Sequence, residues 1–93
     1  MKEISYSKTF KKRYKERVFG NKNLKKRVAY RINLFKIDPT PEILKDHPLT
    51  GKYKYSRSFS ISGDVRVIYQ VRTFKDRIVF IIVDIGTHNQ VYE

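Results

Sequence analysis

Two histidines stand out in a 93-residue chain that has no other imidazole and no cysteine. His47 lies in "DHPLTG", a stretch bounded by Pro48 and Gly51. His88 lies in "GTHNQVYE", just past the most apolar run of the chain. Histidine titrates near neutrality and serves as either acid or base. Asp64 lies in the next tight turn with Arg66 just after it, and Tyr92 lies near the C-terminus, four positions past His88. Lys52, Lys54 and Ser60 sit on the stretch between His47 and that turn. Such a set suits cleavage of a ribonucleotide phosphodiester, whose 2′-hydroxyl is a built-in nucleophile. That reaction needs a base for the hydroxyl, an acid for the leaving 5′-oxygen, and cations for the charge that develops on phosphorus. An aromatic ring stacks on a splayed base.

Each of these residues has a plainer reading. A loop histidine is commonly solvated or bonded to backbone. Asp64 is a turn former, Arg66 a solvated strand residue, and Tyr92 a residue closing the core. The charge of the whole chain favours the chemical reading. Twenty-one Lys and Arg face nine Asp and Glu, a net +12. Such a balance fits a polyanionic partner, nucleic acid first and an acidic protein second. Other classes fall away. No Walker loop, GxGxxG, HExxH or CxxC is present, and no nucleophile elbow. The two histidines have no metal-ligand spacing, so no metal and no cofactor is expected. The charged N-terminal stretch lacks the apolar core of a signal peptide, and no run is long enough to span a bilayer. A soluble cytoplasmic protein without membrane contact is the expectation.

The elements that must position these groups follow from periodicity. One domain, 1–93, suits this length. "KEISYS" alternates and reads as a strand joining a sheet edge. Ser7 or Thr9 can cap a first helix carrying Phe10, Tyr14 and Val18, which Gly20 and Asn21 end. A second helix runs from about Asn23, with Leu24, Val28, Ile32 and Phe35 in one stripe and Lys25, Lys26, Arg27 and Arg31 opposite. "DPTP" stops it. The period then changes to two. Tyr53, Tyr55, Phe59 and Ile61 predict one face of a strand, and Lys54, Ser56, Ser58 and Ser60 the other. After the turn at Ser62–Asp64, "VRVIYQV" makes a strand with Val65, Val67, Tyr69 and Val71 on one side. "RIVFIIVD" reads as a central strand covered on both faces, broken by Gly86. The order β-α-α-β-β-β predicts an α+β fold, with two N-terminal helices on one face of a small, mostly antiparallel sheet.

Three stretches in this order, "LKDHPLTG", "VRVIYQV" and "DIGTHNQVY", resemble the YafQ branch of the RelE/ParE toxin superfamily, and the resemblance spans nearly the whole chain. It implies the toxic half of a type II toxin–antitoxin pair. It further implies an endoribonuclease that enters the ribosomal A site, walled by rRNA, and cuts mRNA by 2′-hydroxyl attack without metal. A cognate acidic antitoxin would block it. By position, His47 and His88 match the family's acid/base candidates, Asp64 an orienting aspartate, Tyr92 a base-stacking aromatic, and Arg66 a phosphate-binding arginine. Ser60 falls where some relatives have a further histidine. Either His47 and His88 suffice, or cleavage is slower, or Lys52 or Lys54 takes part. Two other functions stay open: a ParE-type gyrase inhibitor on the same scaffold, and a non-catalytic basic nucleic-acid-binding domain.

Overall fold

A computed structural model describes residues 1–92. Strand β1 (Glu3–Tyr6) leads into helix α1 (Lys8–Arg17), and helix α2 (Lys22–Phe35) follows. A 3-10 turn at Glu42–Leu44 precedes the short strand β2 (His47–Pro48), and a second one spans Gly51–Tyr53. Strands β3 (Arg57–Ser62), β4 (Val65–Phe74) and β5 (Arg77–Thr87) form a meander, and helix α3 (His88–Tyr92) comes last. The sheet order is β1-β5-β4-β3-β2, antiparallel except where β1 pairs parallel with β5. The α+β class and the helix-on-sheet arrangement are as the periodicity predicts.

Local chemistry explains the helix starts. Ser7 Oγ accepts from the Phe10 N–H (3.0 Å), and Asn21 Oδ1 accepts from the Leu24 N–H (3.0 Å). Each side chain satisfies an amide that the first helical turn leaves unpaired. The apolar stripes then bury Phe10 from α1 and Val28, Ile32 and Phe35 from α2. They meet Leu44, Phe59, Ile61, Val67, Tyr69, Ile82 and Ile85 in one core. Phe35 is its hub, stacked on Phe59 at 4.5 Å and tilted against Tyr69 at 4.7 Å.

Three sequence expectations need correction. The Tyr53–Tyr55 stretch is not strand: Gly51 takes a left-handed φ of 66°, the chain makes a 3-10 turn, and β3 starts only at Arg57. Tyr55 is consequently 83% exposed. Gly86 does not end β5, which continues to Thr87. Nor is β5 covered along its whole length: Ile78 is exposed, because the β4–β5 hairpin runs on past the end of β3. Val71 and Phe74 lie exposed on the same overhang.

Candidate active site

His47 is placed from behind. Strand β2 pairs His47 with Ser58 and Pro48 with Arg57 of β3. Directly before it, the Asp46 carboxylate oxygens lie 2.8 and 2.7 Å from the Tyr69 hydroxyl, which donates to them. Arg57 Nε donates to Asp46 Oδ1 (3.2 Å) and to the Tyr69 oxygen (3.1 Å). Burial, then the hydrogen bond to Asp46, raises the Tyr69 phenol well above its ordinary value, so it stays a donor. At the front, His47 Nδ1 lies 2.8 Å from the Lys45 carbonyl oxygen. A carbonyl can only accept, so Nδ1 carries the hydrogen. Nε2 is left to take or give a proton, and the side chain is exposed.

His88 is placed by the start of α3. The Thr87 N–H donates to Gln90 Oε1 (2.8 Å), and the Gln90 N–H donates to Thr87 Oγ1 (3.3 Å). This reciprocal pair is a capping box, and it fixes where the chain turns from strand to helix. Gly86 permits the fold-back. A Cβ there would meet Arg17 Nη1 and Gln90 Oε1 at 2.8 Å and Gln90 Cβ at 3.0 Å. The Tyr53 hydroxyl donates to the Val91 carbonyl (2.7 Å) and ties α3 down. The Tyr92 ring then lies between His88, at 4.6 Å, and Tyr53, at 5.7 Å.

Arg66 joins the two halves. It stands on β4 opposite Ser60 of β3 and Gly86 of β5. His47, Leu49, Thr50, Arg66, His88 and Tyr92 line one open hollow of about 290 Å³. Beside it, Lys45, His47, Ser58, Ser60, Gly63 and Arg66 line a second of about 330 Å³. His47 and Arg66 border both. Among the described residues no carboxylate lines either hollow. Among the described residues Arg66 has no ion pair, and its buried Nε has no hydrogen-bond partner. Its guanidinium stands beside both imidazoles in the lining of the first hollow. Among the described residues no group of three or more His, Asp or Glu is placed to hold a metal ion.

The structure therefore gathers His47, Ser60, Arg66, His88 and Tyr92. It does not gather the other three. Asp64 is exposed in the β3–β4 turn and lines neither hollow. Lys52 and Lys54 are exposed around the Gly51–Tyr53 turn, their ammonium groups 5.2 and 5.1 Å from the Tyr53 and Tyr55 ring centres. Their place off the sheet follows from the missing strand at Tyr53–Tyr55. Sequence reasoning missed Asp46, Arg57 and Tyr69, which hold His47, and Gln90, which sets α3. The Thr87-x-x-Gln90 spacing was the one readable signal among them.

Two helices on a meander with a parallel N-terminal strand is an architecture with solved counterparts. The YoeB/ParE toxin from Agrobacterium tumefaciens superposes with a TM-score of 0.72 at 16% identity, covering 92% of this chain and 98% of that one. The architecture is thus that of the RelE/ParE toxins. Within that class, the chain belongs to the YafQ family: the family described as "Bacterial toxin of type II toxin-antitoxin system, YafQ" matches residues 2–93. The crystal structure of YafQ from E. coli strain BL21(DE3) aligns over 100% of both chains, with 25% identity and a TM-score of 0.78. The E. coli DinJ–YafQ complex aligns over 100% of both chains with 26% identity and a TM-score of 0.72. No curated protein sequence matches the chain. Among the described residues no helix is long and apolar enough to cross a membrane.

Proposed function

We propose that this toxin is a ribosome-dependent endoribonuclease that cleaves mRNA by 2′-hydroxyl attack. The carrying observation is the shared hollow: both imidazoles and the unpaired Arg66 guanidinium border it. His47 Nε2 and His88 supply the acid and the base. Arg66 faces the scissile phosphate and stabilises the charge that builds there. Tyr92, seated against His88, offers a ring face for a splayed base. Among the described residues the hollow has no carboxylate to repel the substrate. Lys52 and Lys54, outside the lining, act on flanking nucleotides or rRNA, Asp64 shapes the β3–β4 turn beside the site, and the +12 charge suits those phosphate surroundings.

The cognate antitoxin is an acidic protein. DinJ and YafQ of E. coli form a toxin–antitoxin complex. On this chain an apolar groove of about 390 Å³ between the helices, with Phe10, Tyr14, Val28 and Ile32 on its walls and Lys11 and Lys36 beside them, suits an acidic amphipathic helix.

The test is mRNA cleavage on programmed ribosomes. His47→Ala and His88→Ala are each expected to slow cleavage about 10²–10⁴-fold, the usual contribution of a general acid or base. If both variants cut at the parent rate, the assignment fails. Gyrase inhibition with intact mRNA would identify the ParE-type activity instead.

A further inference from the structure

The turn that carries Tyr53 and Tyr55 is held at both ends. The Tyr53 N–H donates to the Thr50 carbonyl (3.3 Å), the Lys54 N–H to the Gly51 carbonyl (3.2 Å) and the Ser56 N–H to the Tyr53 carbonyl (2.8 Å). The Ser56 carbonyl accepts from the Leu49 N–H (3.0 Å), and Ser56 Oγ accepts from Gln70 Nε2 of β4 (3.2 Å). Tyr53 is tied to α3 through its bond to Val91. Between these anchors stands the exposed Tyr55. A lone exposed tyrosine is ordinary surface. This one has a cation beside it: Lys54 Nζ lies 5.1 Å from its ring centre, as Lys52 Nζ does at 5.2 Å from that of Tyr53. From His47 to Gly63 the sequence has no Asp or Glu. The turn also starts at the catalytic hollow. Leu49 and Thr50 line that hollow with Tyr92, and the Tyr53 ring meets Tyr92 edge to face at 5.7 Å. An RNA strand that leaves the hollow past Tyr92 thus runs toward rings and ammonium groups on a segment free of carboxylates.

We propose that Tyr55, with Lys54 beside it, is a stacking platform for a base of the mRNA that flanks the cleaved bond. The proposal rests on the nuclease reading above and adds to it a contact outside the group of His47, Arg66, His88 and Tyr92. A nucleotide answers both side chains at once, base to ring and phosphate to ammonium. Every base has a π face, so such a platform accepts any sequence. The lysine contact likewise fixes position and not sequence. The anchored turn is ordered before RNA arrives, so little freedom is lost when the base stacks. The platform therefore contributes affinity and holds the strand in register at the histidines.

The chain has no tryptophan, so Tyr55→Trp places a single indole reporter on the platform. The probes are an uncleavable 2′-O-methyl dinucleotide, tetranucleotides that extend it on the 5′ or the 3′ side, and the same tetranucleotides with abasic extensions. On one side, the extension is expected to tighten binding to the parent about tenfold and to quench the indole of Tyr55→Trp. Abasic extension should lose most of both effects. In Tyr55→Ala the gain should fall to about twofold or less, while the dinucleotide binds as it does to the parent; Tyr55→Trp should keep the gain. An equal gain in Tyr55→Ala, an equal gain from abasic extension, or no gain on either side in the parent overturns the platform. Quenching by a blunt RNA duplex as strong as by the tetranucleotide overturns it in favour of an rRNA contact. Quenching by polyglutamate and not by RNA overturns it in favour of an acidic protein. Failure of the nuclease reading shows separately, as oligonucleotides that quench the indole yet leave the His88 and Tyr92 amide shifts unmoved by NMR.

Discussion

The Tyr69 hydroxyl bridges both carboxylate oxygens of Asp46, the residue immediately before His47. A core tyrosine, 2% exposed, therefore reaches through the sheet edge to hold the loop that carries a candidate catalytic group. Removing the hydroxyl leaves Asp46 with Arg57 alone. Tyr69→Phe is expected to cost about 1–3 kcal/mol in chemical denaturation, the range for hydrogen bonds to a charged group. Cleavage should fall as well, because His47 loses its rear support. Unchanged stability and rate would show that Arg57 suffices.

Burial of the Tyr69 phenol, and after it the same bond, sets an alkaline limit. The folded-state pKa of Tyr69 is raised above its unfolded value of about 10. Below the unfolded value the phenol is protonated in both states, and the contribution is fully present. As pH rises beyond it, the unfolded chain releases a proton that the folded chain keeps, and stability declines. Denaturation midpoints measured across this range should drop with pH, and drop less in Tyr69→Phe.

Gly86→Ala tests the seat of α3. The added methyl meets Gln90 and Arg17 inside van der Waals distance. The expected cost is about 1–3 kcal/mol of stability, as for other overpacked sites. Cleavage should fall further than stability alone predicts, since His88 and Tyr92 ride on the displaced helix. A parent-like rate would show that α3 relaxes without moving the imidazole.

Gln90→Ala removes one side of the capping box but leaves the space open. A loss of about 0.5–2 kcal/mol is expected, the usual value of a helix cap. His88 should become more mobile, seen as a lower order parameter for its amide in NMR relaxation. A rigid His88 would mean that the Tyr53 tie to Val91 is enough.

Salt reads the electrostatic share. If about six phosphates are neutralised on single-stranded RNA, the logarithm of the binding constant should fall with the logarithm of salt with a slope near −4. Arg66→Ala should flatten that slope by somewhat less than one unit. An unchanged slope would place Arg66 away from phosphate.

The helices were legible because their apolar residues recur at helical spacing and their caps sit where the stripes begin. β4 and β5 were legible from β-branched alternation. The site was legible only in part. His47, Arg66, His88 and Tyr92 were found from residue type and family likeness, and their convergence needed the β2–β3–β4 register. Asp46, Arg57 and Tyr69 were not found, because 11 and 23 positions separate Asp46 from its partners and no local pattern ties them. Tyr53 and Tyr55 misled: their alternation matches a strand, yet one ring secures α3 and the other faces solvent. α3 has five residues, too few for any periodic signal, and only its capping box marks it.

Strand β3 gives one edge of its pleat to the hydrophobic interior and the other to the polar cleft, residue by residue. Losing a single codon within Arg57–Ser62 would reverse that assignment, turning serine hydroxyls inward and aromatic carbon outward. The gene can thus be disarmed by an in-frame deletion that hardly alters composition, and no weakened but still well-folded toxin lies on that route.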